Sequence, residues 1–332
     1  MKFKKRLLRL MSVVCACVAL IFCGCDGVTI NGEEYYFCDG FSVTYIDVGE
    51  GDATFIRFPD GKTMLIDCGE KDKDNMKSLR AYLSHYCKDG LDYLMITHPD
   101  SDHVGNAADV IEEYGVKTAF LPDLRYPEAF NEYYAFYRIV REKDTEVVIS
   151  ALYKGVTGED YFLILLSPNP TGTTDSSYTA LNDSEEPTAR ERNNVSPIAY
   201  LEYRGIRFVF TGDADISQEN VALNNVEWGF ADAFLGDGRS VDLENIDFLK
   251  VGHHGSEDST GERFLTVLSP KNAVISVGAN NRYGHPNTAT LSRIYENAPD
   301  CKVLRTDISG HITVAVDNDG KVTTVTSAGE EN

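Results

Sequence analysis

The segment Thr97-His98-Pro99-Asp100-Ser101-Asp102-His103-Val104-Gly105-Asn106 comes directly after the apolar run Leu91-Asp92-Tyr93-Leu94-Met95-Ile96. A short apolar run of that kind reads as a buried strand. Two imidazoles and two carboxylates therefore fall within six residues at a strand's C-terminal end, where α/β proteins place their ligand sites. Packing alone asks for no such density of ionisable groups. A turn here can present His98 and Asp100 to one metal ion, and Asp102 and His103 to a second.

Two later segments converge on the same chemistry. Phe208-Val209-Phe210-Thr211-Gly212-Asp213 is an apolar strand that delivers a carboxylate at its end. Asp247-Phe248-Leu249-Lys250-Val251-Gly252-His253-His254-Gly255-Ser256 is a buried strand ending in paired histidines. Taken alone, the first is an ordinary turn; together, each after its own strand, the three read as a split metal site of His and Asp ligands.

Strands open the chain at Phe41–Val48, Ala53–Phe58 and Thr63–Asp67, joined by turns at Gly49-Glu50-Gly51 and Pro59-Asp60-Gly61. Helical patterns over Asp74–Cys87, Ala107–Tyr114 and Glu128–Arg141 alternate with strands at Lys117–Leu121, Glu146–Ser150 and Tyr161–Leu166. Residues 167–193 lose all periodicity and read as a long loop. A hairpin turning at Gly205 follows, then strands at Ile246–Val251 and Ala273–Val277, with helices near Thr260–Leu268 and Thr288–Asn297. Short strands at Val303–Arg305, His311–Val316 and Val322–Thr326 close the chain. Alternation through both halves, with no change of composition between them, implies one α/β domain.

At the N-terminus, Lys2 to Arg9 are basic and Leu10 to Phe22 form an apolar stretch of about 13 residues, the length of a signal sequence core. A membrane-spanning helix needs ~20. The following Phe22-Cys23-Gly24-Cys25-Asp26 resembles a bacterial lipoprotein box with Cys25 as the lipidated residue, although Phe22 stands where Leu is usual. The expected layout is a leader over 1–24, a tether over 25–40, a hydrolase domain over 41–327 and a tail over 328–332. This places the domain outside the cytoplasm, lipid-anchored or secreted, where disulfides among Cys38, Cys68, Cys87 and Cys301 are feasible. The chain of 332 residues carries a net charge of −21; beyond residue 24 there are 26 basic against 52 acidic residues. A surface so acidic repels polyanions and argues against sequence-independent nucleic-acid binding over the whole surface.

The ordered set His-x-Asp-x-Asp-His-x-Gly, Thr-Gly-Asp, His-His-Gly-Ser and Tyr283-Gly284-His285-Pro286 resembles the metallo-β-lactamase-fold hydrolases, specifically the branch with the extracytoplasmic domain of ComEC-type competence proteins. The resemblance extends over Tyr45–Ala53, Ile66-Asp67-Cys68-Gly69, Asn193-Asn194-Val195-Ser196 and Arg305–Gly310. It implies a four-layer αββα sandwich with the metals at the strand ends. It also implies His98, Asp100, Asp102 and His103 as ligands, Asp213 as the bridging carboxylate, and one ligand from the paired histidines, His254 ahead of His253. A further His usual in the superfamily has no counterpart, since no His lies between His103 and His253; Asn194 or Asn193 is the candidate for its place.

A donor set of carboxylates and imidazoles without thiolate suits Mn²⁺ as well as Zn²⁺, so two divalent ions, Mn or Zn, are expected. The mechanism implied is hydrolysis by a water ionised between the two metals, oriented by Asp102, with His285 contacting phosphate or protonating the leaving oxygen. Lys250, Arg282 and Asn194 are candidate substrate contacts. The leading expectation is an enzyme, a phosphodiesterase or nuclease acting on single-stranded DNA or a cell-envelope phosphodiester, with no obligate protein partner. A phosphorylcholine-esterase-like activity, with Tyr133, Tyr134 and Tyr137 as an aromatic cage, is the alternative within the fold. A metal-binding surface lipoprotein without turnover is the alternative outside it.

Overall fold

The computed structural model describes residues 24–170, 187–230, 235 and 238–328. The leader lies outside the described residues, as does most of the 167–193 loop. Among the described residues no helix is long and apolar enough to cross a membrane.

The chain starts with a hairpin, β1 (Cys25–Ile30) and β2 (Glu33–Cys38), paired antiparallel. Strands β3 (Phe41–Tyr45), β4 (Thr54–Arg57) and β5 (Thr63–Ile66) form a meander. Helix α1 (Lys73–Tyr86) then crosses to β6 (Leu91–Met95). The short α2 (Ser101–Val104) and α3 (Ala107–Tyr114) lead to β7 (Val116–Leu121), and α4 (Asn131–Glu142) to β8 (Glu146–Ile149). Strands β5 to β8 run parallel, as helical crossovers require.

The second half builds β9 (Gly155–Thr157) and β10 (Tyr161–Ser167), then α5 (Ala189–Asn193) and the hairpin β11 (Ile198–Tyr203) and β12 (Ile206–Phe210). Next come α6 (Ile216–Glu227), β13 (Phe248–Lys250), α7 (Glu262–Leu268), β14 (Asn272–Ile275), α8 (Thr288–Asn297) and β15 (Lys302–Arg305). Helix α9 (Thr306–Ser309) precedes β16 (Ile312–Val316) and β17 (Val322–Thr326). This last hairpin returns to the first sheet, β16 pairing with β3. The sheets are thus β17-β16-β3-β4-β5-β6-β7-β8 and β15-β14-β13-β12-β11-β10-β9.

Three apolar layers hold these parts together. Phe41, Tyr45, Phe58 and Ile312 from the first sheet meet Leu163, Leu201, Phe208 and Phe248 from the second. Leu79, Leu83, Val110 and Phe136 pack α1, α3 and α4 on the outer face of the first sheet. Ala222, Leu265 and Ile294 do the same for α6, α7 and α8 on the second. That is the four-layer αββα sandwich, with central strands such as β10 and β13 buried along their whole length.

Some expectations need correction. Residues 25–40 are no tether: they include the β1–β2 hairpin, closed by a Cys25–Cys38 disulfide and docked on α1 through Tyr35, the Cys38 N–H donating to Tyr86 Oη (2.6 Å) and a Lys77–Glu33 ion pair (3.0 Å). The disulfide takes the Cys25 sulfur, so a thioether lipid on that atom and this bridge exclude one another. Cys68, Cys87 and Cys301 are buried thiols. The loop expected up to residue 193 ends in α5, which opens with a Thr188/Glu191 capping box. Helix α6 carries an N-cap in Asp215, which accepts from the Ser217 N–H at 2.7 Å. Tyr133 is buried in the core against Phe136, which removes it from any aromatic cage.

Gly105 shows why the metal motif ends in glycine. A Cβ at that position would lie 2.2 Å from the Lys71 backbone nitrogen and 2.6 Å from the Ser101 carbonyl oxygen. Both are backbone atoms that cannot swing aside. Gly105→Ala is expected to destabilise the fold by about 1–3 kcal/mol, as overpacking does. Urea unfolding of the two proteins checks this; an unchanged midpoint would show that the two loops yield freely.

Candidate metal centre

Each ligand segment sits at the C-terminal end of a central strand: Asp67 after β5, His98 to His103 after β6, Asp213 after β12, and His253 and His254 after β13. Backbone hydrogen bonds tie the loops to one another. Asp52 N–H donates to the Asp102 carbonyl (3.2 Å), Cys68 N–H to that of His103 (2.6 Å), and His253 N–H to that of Gly212 (3.0 Å).

One potential ligand atom from each of Asp102, His103, Asp213 and His254 falls within a sphere where all lie under 4.8 Å of one another. His103 Nε2 is 3.2 Å from Asp213 Oδ1, and His254 Nε2 is 3.4 Å from Asp102 Oδ2 and 3.7 Å from Asp213 Oδ2. His98 Nε2 approaches Asp213 Oδ2 at 3.8 Å from the other side, and His253 Nε2 lies 3.6 Å from the same oxygen.

The tautomers follow from the partners of the opposite ring nitrogens. His103 Nδ1 faces the Asp67 carboxylate at 2.8 Å and His254 Nδ1 faces the Ser276 carbonyl at 2.9 Å; both oxygens can only accept. Thr97 Oγ1 donates its own proton to Asp67 (2.7 Å), so it accepts from His98 Nδ1 (3.1 Å). All three rings therefore donate from Nδ1, and their Nε2 atoms converge. Those three Nε2 atoms and Asp213 Oδ1 are buried without a hydrogen-bond partner. Buried polar atoms are seldom left so, and the outward-held Nδ1 is how metal-ligating histidines are oriented. The residues fit a divalent cation.

The charges agree. Burial alone would raise the pKa of Asp213 and Asp102, but the imidazoles of His103 and His254 outweigh it and hold both well below the ordinary carboxylate range. Burial would lower the pKa of His103 and His254, yet the surrounding carboxylates win. Asp213, Asp67 and Asp102 push His103 well up; Asp213, the nearby Asp102 carboxylate and Asp52 push His254 to about 9. His98 and His253 go the other way, lowered chiefly by burial.

The remaining candidates divide. Both Asp100 oxygens are held by the Arg192 guanidinium. His285 stands at the mouth, its ring 5.5 Å from that of His253, with Nδ1 3.2 Å from Glu50 Oε1. Arg282 is exposed and lies over the Tyr283 ring. Lys250 is not available to a substrate: it is buried in an ion pair with Asp52. Asn194 turns away to the start of α6, donating to Asp215 (3.1 Å); Asn193 is the one beside His253, at 3.3 Å. The supporting roles of Asp67, Thr97 and Asp52 were not foreseen from the sequence, though all three stand within the segments that carry the resemblance.

The metallo-beta-lactamase superfamily model matches residues 46–279. The chain belongs to that superfamily. ComE operon protein 3 of Bacillus subtilis is 31% identical over 287 residues, covering 81% of this chain and 32% of that protein. Recombination protein 2 of Haemophilus influenzae is 27% identical over 279 residues, covering 82% of this chain and 29% of that protein. These relatives are competence proteins of the ComEC type, and the chain spans about a third of their length. Among solved structures, the metallo-beta-lactamase fold protein YhfI of Bacillus subtilis is 10% identical with a TM-score of 0.47, covering 86% of this chain and 99% of that one.

Metal loading is expected to stabilise the protein. At 100 times the dissociation constant a bound ion contributes about 2.7 kcal/mol, or about 5 °C in melting temperature for a domain of this size. Chelator-stripped protein resupplied with Mn²⁺ or Zn²⁺ is expected to show that rise in a thermal melt, and His254→Ala to lose most of it. A parent protein indifferent to both ions would count against the centre.

Proposed function

We propose that this protein is a metal-dependent hydrolase that cleaves phosphodiesters, with single-stranded DNA as the leading substrate. The observation that carries the reading is the convergence of three buried imidazole Nε2 atoms and Asp213 Oδ1 with no partner of their own. The chain's kinship with competence and recombination proteins supports a nucleic-acid substrate.

Two divalent ions of unequal affinity, Mn²⁺ or Zn²⁺, would be held here: the tighter by Asp102, His103, Asp213 and His254, the weaker by His98, Asp100 and Asp213. When bound, they supply Lewis acidity, lowering the pKa of water and neutralising charge on a phosphoryl oxygen. The chain's own residues do the rest. Asp102 keeps part of its carboxylate open to solvent and orients the attacking water. Asp67, Thr97 and Ser276 hold the rings in one tautomer. Glu50 on His285 Nδ1 leaves Nε2 to serve a phosphate or leaving oxygen at the mouth. Retention of both Asp102 and Asp213 favours an enzyme over a binding lipoprotein.

We place the protein outside the cytoplasm. The basic and apolar leader and the Cys25–Cys38 disulfide support this, since disulfides persist in oxidising compartments. With the Cys25 sulfur in that bridge, secretion or an uncleaved leader accounts for placement without the lipid.

Full-length protein stripped with chelator and resupplied with Mn²⁺ is expected to degrade end-labelled single-stranded DNA. Asp102→Ala should lose about 100-fold or more of that rate, the order seen when a group stabilising the reacting charge is removed. If the metal binds and the DNA stays intact, the nuclease reading is wrong; turnover of a phosphorylcholine diester under the same conditions would then identify a small cell-envelope substrate.

A further inference from the structure

The two halves of the centre differ in one respect that the ligand motif does not announce. Among the described residues, the ion-pair partners of Asp102 and Asp213 are imidazoles rather than Arg or Lys, and the ligand atoms of Asp102, His103, Asp213 and His254 cluster. The other half offers His98 Nε2, buried, unpartnered and aimed at Asp213, but its third ligand, Asp100, is already engaged. Arg192 Nε donates to Asp100 Oδ1 and Arg192 Nη2 to Oδ2 (3.2 Å), a two-pronged grip of the strongest kind a carboxylate accepts.

The arginine is itself held. It lies on α5, whose first turn is closed by the Thr188/Glu191 capping box, and its Nη1 donates to the Pro187 carbonyl at 3.0 Å. The next two residues fasten the same segment at two points, Asn193 to His253 of the centre and Asn194 to Asp215 at the start of α6. A guanidinium stays charged at any working pH, so an ion entering beside His98 must displace it from Asp100 and then endure its repulsion. No imidazole between His103 and His253 compensates for the lost ligand.

We propose that Arg192 is a latch on the second metal position: by occupying Asp100 it leaves the protein with one high-affinity ion, bound by Asp102, His103, Asp213 and His254, and a second that enters only weakly. This rests on the cluster being a metal centre, and is independent of the substrate. It makes Arg192, a residue outside every ligand motif, the determinant of how many ions the protein carries.

The test is Mn²⁺ binding to the full-length protein, followed by the loss of the free-ion signal in electron paramagnetic resonance, for the parent, Arg192→Gln and Asp100→Asn. The parent is expected to bind one ion tightly and a second at least about tenfold more weakly. Arg192→Gln should tighten the second by about tenfold and bring out the spectrum of a spin-coupled ion pair at lower Mn²⁺. Asp100→Asn should keep the tight ion and lose the second, alone or combined with Arg192→Gln. Two ions of equal affinity in the parent, or an unaltered second affinity in Arg192→Gln with the tight ion retained, would overturn the latch. A parent that binds neither ion would instead overturn the metal-centre reading itself.

Discussion

The buried carboxylate of Asp67 is the constraint from which the centre is built. It is fully buried, and it accepts from Thr97 N–H (2.9 Å), Thr97 Oγ1 (2.7 Å) and His103 Nδ1 (2.8 Å). A carboxylate taken out of water is costly unless every lone pair finds a donor. Here the donors lie on the segment after β6 while Asp67 ends β5, so satisfying the charge also fixes the spacing between two loops. His103 is turned by the same bond, and through the Thr97 hydroxyl so is His98. One side chain thereby orients two rings whose Nε2 atoms face the cluster.

On the opposite sheet the same task falls to different chemistry. Lys250 on β13 meets Asp52 from the loop after β3, bridging the two sheets beneath His254. The turn that follows places His253 and His254 in succession at positive φ, 46° and 52°. A non-glycine residue does not adopt that backbone without cost, and such strain survives only where surrounding contacts determine it. The Ser276 carbonyl on one ring and Asn193 against the other provide those contacts. The result separates two adjacent histidines: His254 goes under the sheet end toward Asp102, and His253 toward the mouth.

Much of this was legible in the sequence, and what was not has a physical reason. Four candidate ligands stand in one unbroken segment after an apolar strand, and α3 and α8 have the bounds their periodicity predicts, because local pattern alone decides them. The β1–β2 hairpin was hidden because its strands are short and without clean alternation; only docking on α1 gives Tyr35 and Phe37 a buried side. Lys250 was misread because a lysine beside a ligand motif suggests a substrate contact, and its partner Asp52 lies in a loop of the other half of the chain. Spacing could not choose between His253 and His254, since their directions are set by left-handed backbone that no spacing reveals.

The same distinction explains why the two metal half-sites differ. Ligand motifs record which atoms can reach an ion, whereas affinity depends on what else claims those atoms. Asp213 and Asp102 have imidazoles as neighbours, whose protons can leave when a cation arrives. Asp100 has a guanidinium, which has no proton to give up at neutral pH and departs only by moving bodily. An exchange of protons for metal leaves the net charge of a buried cluster nearly balanced. An exchange against a fixed arginine requires its side chain, or helix α5 that carries it, to shift. The half-site that a motif makes equal on paper is thus made unequal by a residue ninety-two positions away in the chain.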